Sequence, residues 1–127
     1  MQPNRTDRIR SVHLYQWLWE PLLEDPTFEL RAMFGSKAAY LGGRLVLCFT
    51  AKEEPWLGVL VCTENAHHDS LMRDLPGLSP HPVLSKWLYL SDAFPGFETT
   101  AQKLVERVRQ RDPRIGVESG SKRKRRR

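Results

Sequence analysis

Three apolar runs follow one another with barely room to turn between them, and this spacing constrains the chain more than any other feature. Residues 37–41 form a short apolar run that ends at Gly42-Gly43, a pair that accepts the positive φ angles of a tight hairpin. Residues 44–50 form the second run and place Leu45, Leu47 and Phe49 on one face if extended. After the polar stretch 51–55, residues 56–63 form the third, with Leu57, Val59 and Val61 alternating. Runs this close together predict an antiparallel meander.

The segments around the meander read as helix. Ile9, Val12, Tyr15 and Trp19 recur at three- and four-residue steps, which predicts a helix over 6–19 that Thr6 or Asp7 could cap. Pro21 cannot continue that helix and should open a short turn through Leu22 and Leu23, closed by Asp25-Pro26. Residues 66–75 form a second helix with Leu71, Met72 and Leu75 on its apolar side. Pro76, Pro80 and Pro82 make 76–83 an extended connector, and 86–90 a fourth strand. Residues 98–111 form the last helix, with Ala101, Leu104, Val105 and Val108 facing inward, and Asp112-Pro113 ends it. The expected order is α-β-β-β-α-β-α. That is an α+β, two-layer fold, with an antiparallel sheet of about four strands and helices on one face. The uncovered face or edges of such a sheet would favour a homodimer.

The length of 127 residues fits one domain, expected over 1–117. The remaining 118–127 hold Gly, Ser and charged residues, too little apolar area to fold alone, and are expected as a disordered basic tail. The net charge of +5 belongs to that tail. Lys122, Arg123, Lys124, Arg125, Arg126 and Arg127 carry six positive charges, and residues 1–121 hold 14 basic against 15 acidic residues. No apolar run approaches the roughly 20 residues of a membrane span, and no signal-peptide core follows the polar N-terminus. Cys48 and Cys62 both lie in apolar runs and read as small buried hydrophobes. Together these features predict a cytoplasmic protein without a membrane partner.

The segment Arg31-Ala32-Met33-Phe34-Gly35-Ser36-Lys37-Ala38-Ala39-Tyr40-Leu41-Gly42-Gly43-Arg44-Leu45-Val46-Leu47 resembles the opening of the TfoX/Sxy N-terminal domain. That family shows Met-Phe-Gly, a short strand, a tight turn and a second strand, so Met33, Phe34, Gly35, Gly42 and Gly43 are the matching structural positions. Lys86-Trp87-Leu88-Tyr89-Leu90 before the long helix is similar too, and the resemblance spans about residues 12–117. The middle section is also similar to YjbR-like proteins. Both resemblances imply a secretion-chaperone-like two-layer α+β fold. They imply no catalytic residues and no cofactor. The chain shows no counterpart of the second domain of full-length competence regulators, so the resemblance implies a stand-alone module acting through protein or self contacts, with a regulatory role.

Candidate sites are few. The tail cluster 122–127 can neutralise phosphates, and Lys103, Arg107 and Arg111, four residues apart on the last helix, would extend its footprint as one basic stripe. Without aromatic residues the tail could bind nucleic acid only non-specifically. A solubilising tail and a solvated helix face are the plainer readings. Trp56, Trp87 and Tyr89 could line a ligand pocket beside the sheet, or simply pack in the core. His67, His68 and Asp69 are adjacent and lack the i, i+4 spacing of a helical metal pair, so no metal is expected. No nucleophile elbow, Walker loop or dinucleotide-binding loop is present, and the expectation is a protein that is not an enzyme. Three functions follow: a contact module, a non-specific nucleic-acid binder, and a small-ligand-binding domain.

Overall fold

A computed structural model of the chain describes residues 13–118. Its centre is a six-stranded, wholly antiparallel sheet in the order β1-β2-β3-β4-β6-β5. The strands are β1 (Glu29–Met33), β2 (Ser36–Leu41), β3 (Arg44–Ala51), β4 (Leu57–Val61), β5 (Leu78–Pro80) and β6 (Leu88–Ser91). Three α-helices accompany them among the described residues: α1 (Gln16–Trp19), α2 (His68–Asp74) and α3 (Phe97–Arg109). The expected α+β class holds, but the four-stranded sheet does not.

The two added strands are short and carry weak strand signals. In β1 Leu30 and Met33 are half-buried and the other three residues exposed, and Glu29 and Arg31 face water as charges that guard the sheet edge. β5 is three residues long and ends in Pro80, a residue tolerated there because β5 is the opposite edge. It occupies the stretch expected as a plain connector. The meander is present, with Gly42 and Gly43 at φ +61° and +82° between the paired Leu41 and Arg44. The expected facing of β3 is wrong at its start. A bulge between Ala39 and Tyr40 pairs Ala39 with Leu47 and Tyr40 with Leu45, which leaves Val46 as the extra residue. Leu45 therefore joins the opposite face from Leu47 and Phe49.

Helices cover the first face. Leu47, Phe49, Val59, Val61, Leu88 and Leu90 from the sheet pack there against Leu18, Leu71, Leu75, Leu104 and Val108. Trp19 meets Phe49 edge-on with ring centroids 5.2 Å apart, and Tyr15 meets Phe97 at 5.6 Å. The Tyr15 hydroxyl donates to Asp92 at 2.5 Å, and burial with that carboxylate raises the phenol above its ordinary range. Only Gln16–Trp19 of the helix expected over 6–19 falls among the described residues as α-helix, and its proposed caps lie outside them. Pro21 sits in the first turn of a 3₁₀ segment, Glu20–Glu24, as its fixed φ favours.

The second face also buries side chains: Ala38, Leu45, Cys48, Leu60, Cys62 and Tyr89. Among the described residues no helix contributes to this cluster. Chain segments do so, among them 114–117, which crosses from one layer to the other. Ile115 belongs to the helix-side core and Val117 to the second cluster. Val117 exchanges both backbone hydrogen bonds with Leu45, at 2.9 and 3.0 Å. Arg114 anchors this segment through Asp112 at 2.7 Å, Asp74 at 3.0 Å and Ser70 at 3.1 Å.

Candidate functional site

The turn from β3 to β4 begins the site. Lys52 N–H donates to the Trp56 carbonyl at 2.8 Å, Trp56 N–H donates to Glu53, and the Thr50 hydroxyl donates to the same Trp56 carbonyl. Glu54 leans back to the sheet, where it accepts from the Tyr89 hydroxyl at 2.8 Å and from Ser91 at 2.5 Å. Tyr89 also accepts from Leu57 N–H at 2.7 Å. Burial, reinforced by the Glu54 carboxylate, raises its phenol above the ordinary range, so it remains a neutral donor.

His81 ties a second segment, 81–87, to that turn. The ring is 1% exposed. Its Nε2 lies 2.7 Å from the Pro55 carbonyl, and its Nδ1 accepts from the N–H groups of Val83 and Leu84, both at 3.0 Å. That set of partners defines the Nε2–H tautomer. The ring also packs against Trp56 at 4.4 Å and edge-on to Tyr89 at 5.1 Å. His68 adds a further tie, from its Nε2 to the Lys86 carbonyl at 2.8 Å. A covering segment without regular structure must pair its own backbone groups, and these two histidines supply the partners.

A recess of about 330 Å³ opens between these segments and the β1–β2 turn. Cys48 and Leu60 of the sheet lie at its base, with Trp56, Trp87, Leu84, Met33, Phe34, Ser36 and Lys52 around them. The β1–β2 turn consists of Phe34 and Gly35, both at positive φ (+53° and +77°), as a two-residue hairpin loop of the primed type requires. Phe34 is a bulky residue in the left-handed region and is 87% exposed, so this turn presents an aromatic ring to solvent beside the recess. A polar groove of about 370 Å³ runs along 92–99, but among the described residues only the β6–α3 loop and the first turn of α3 line it.

The structure places Trp56 and Trp87, two of the three residues named for a pocket, in the lining of one recess. It places Tyr89 behind the lining, as the support of the Trp56 turn. Lys52 and His81 were not singled out in the sequence. Their roles come from tertiary contact, and the only local hint for His81 is its place between Pro80 and Pro82. Met33 and Phe34 line one side of the recess, with Gly35 beside them in the β1–β2 turn, whereas Gly42 and Gly43 make the next hairpin turn.

Of the residues expected as one basic stripe, Arg107 reaches Asp74 at 3.5 Å and Asp112 at 3.6 Å, and Arg111 lies beyond the end of α3 at φ +60° and reaches Asp25 at 2.8 Å. Lys103 is exposed. The tail cluster 122–127 lies outside the described residues. Cys48 and Cys62 are free thiols with sulfurs 4.0 Å apart, and burial raises the Cys62 thiol well above its ordinary range. Among the described residues no three His, Cys, Asp or Glu side chains cluster to hold a metal ion, and no helix is long and apolar enough to cross a membrane.

Fold and recess together define a small α+β protein with an open antiparallel sheet, one face closed by helices and the other holding an aromatic-lined recess. Comparison of the chain with family models, curated proteins and solved structures gave no match.

Proposed function

We propose that this chain is a non-enzymatic binding module that holds a small, largely apolar molecule in the recess on the second face of the sheet. The observation that carries the reading is the convergence of Trp56, Trp87, Leu60, Leu84 and Met33 on one volume of about 330 Å³. That is the lower end of the range for small-molecule sites, which are mostly apolar with a few placed polar groups. The loops around it are tied by His81, Tyr89 and Glu54, so the cavity does not need to form on binding. The reading keeps two expectations attached to the TfoX/Sxy resemblance, the absence of catalytic machinery and action through contacts. A thermal-shift screen of small aromatic and aliphatic compounds tests it. A ligand at about 100 times its Kd adds about 2.7 kcal/mol of stability, which raises Tm by several degrees. The shift should vanish in a folded Trp87→Ala variant. No shift with any compound, or an undiminished shift in Trp87→Ala, overturns the reading.

One observation favours a second reading. Phe34, Val83 and Leu84 are 87%, 64% and 38% exposed. Exposed apolar side chains of this kind suit a second copy of the chain laid over the recess. Sedimentation velocity across a concentration series separates the two. A dimer lost in Phe34→Ser supports self-contact, and a monomer at all concentrations removes it.

A further inference from the structure

We propose that the recess is selective for an aromatic or aliphatic molecule that carries a single anionic group, a carboxylate, and that Lys52 is the residue that reads its charge. This rests on the reading of the recess as a ligand site and adds the class of ligand.

Among the described residues, Lys52 is the one charged side chain in the lining. Its Nζ donates to the Phe34 carbonyl at 2.5 Å, and an ammonium has three donors, so this bond holds the group and uses one of them. The turn comes close to the ammonium at Gly35, where no side chain stands between them. A Cβ at that position would lie 3.0 Å from both Cε and Nζ of Lys52. The β1–β2 turn thus fixes the ammonium beside the mouth of the recess.

None of the carboxylates among the described residues pairs with Lys52. The adjacent Glu53 makes no ion pair with Lys52 and does not line the recess, and the next carboxylate, Glu54, is taken up by Tyr89 and Ser91. Among the described residues, the site therefore holds a cation and an apolar volume without an internal counter-ion. A cationic ligand would meet Lys52 with no acid in the lining to offset it. A phosphate dianion would want several donors converging on it, and the lining offers one cation. A monoanionic carboxylate attached to an apolar body matches both parts. At about 30 Å³ per water-sized unit, the volume takes on the order of a dozen non-hydrogen atoms, a two-ring body.

The test is isothermal titration calorimetry of the full chain with 1-naphthylacetate, its neutral counterpart 1-naphthylacetamide, and acetate. The carboxylate should bind about tenfold tighter than the amide, and acetate should give no saturable heat. Lys52→Met should bring the carboxylate down to the affinity of the amide and leave the amide unchanged, while Lys52→Arg keeps the preference. Trp87→Ala should weaken both aromatic probes. Equal affinities in the native chain, or a preference that survives Lys52→Met, overturn the charge inference and leave the recess standing. Saturable acetate binding would assign the charge effect to the basic tail and overturns it as well. Binding of neither aromatic probe overturns both proposals.

Discussion

The two faces of the sheet are closed by different means. On the first face, α1, α2 and α3 lay apolar side chains onto Leu47, Phe49, Val59 and Val61, and α3, the longest at 13 residues, pairs the backbone groups of its middle turns internally. On the second face, irregular segments do the covering, and their backbone groups need outside partners. His81 supplies three contacts to backbone groups, and Tyr89 supplies one to Leu57 while holding Glu54. Helix packing fills space, whereas covering by polar ties leaves volume unfilled. The recess lies on the face where the second method is used, and a binding site is easier to keep there because its walls do not carry the main core.

The comparison breaks most sharply on the helix side. Phe49→Ala removes a fully buried ring that meets Trp19, and should cost about 3–5 kcal/mol in urea unfolding. Ligand-induced stabilisation should persist as long as the variant folds. On the loop side the larger effect comes from a polar residue. His81→Ala leaves the Pro55 carbonyl and two N–H groups without partners and should cost about 2–3 kcal/mol. Here ligand binding should fall with stability, because the ring holds together two walls of the recess. An effect of His81→Ala below that of an ordinary surface substitution would mean that the second face is covered by apolar contact after all.

How far this division could be read from the sequence differs between the two faces. Helix α3 shows its stripe of Ala101, Leu104, Val105 and Val108, and the Gly42-Gly43 hairpin is marked by residues suited to positive φ. The first core was therefore largely legible. The edges were not: β1 carries two charges in five residues, and β5 ends in a proline. The run Leu45-Val46-Leu47-Cys48-Phe49 is apolar throughout, so no polar position betrayed the bulge that turns Leu45 to the other face. The site was legible only in its large residues. Trp56 and Trp87 stand out by type, but nothing in its local sequence sets Lys52 apart from the chain's other five lysines. His81 acts on Pro55 from 26 residues away, a relation that no local pattern encodes.

A finer test stays within the second face. Tyr89→Phe keeps the ring against His81 and removes only the hydroxyl, which leaves Leu57 N–H and one Glu54 oxygen unpaired. The expected cost is about 1 kcal/mol in urea unfolding. If the hydroxyl positions the turn, probe affinity should also drop several-fold in titration calorimetry, because Trp56 sits in that turn. A stability loss with unchanged affinity would assign the recess to apolar packing rather than to polar ties.

The smallest effect concerns the seam between the faces. Asp112 is held at about 2, chiefly by its hydrogen bonds from Arg114, which anchors the segment carrying Ile115 and Val117 across the layers. In the unfolded chain the same carboxyl titrates near its ordinary value of about 3.9. The folded state thus binds the proton less readily, and the stabilisation is complete above that value and lost as pH falls toward 2. With solvent screening the contribution is about 1 kcal/mol. Asp112→Asn should lose it at neutral pH and flatten that part of the acid limb in urea titrations between pH 5 and 2. Hydrogen exchange at Val117 and Leu45, whose amides bond across the bridge, should quicken in that variant before the amides of Phe49 and Val59 do. Equal acceleration at all four would mean that the two faces open together and that the seam has no stability of its own.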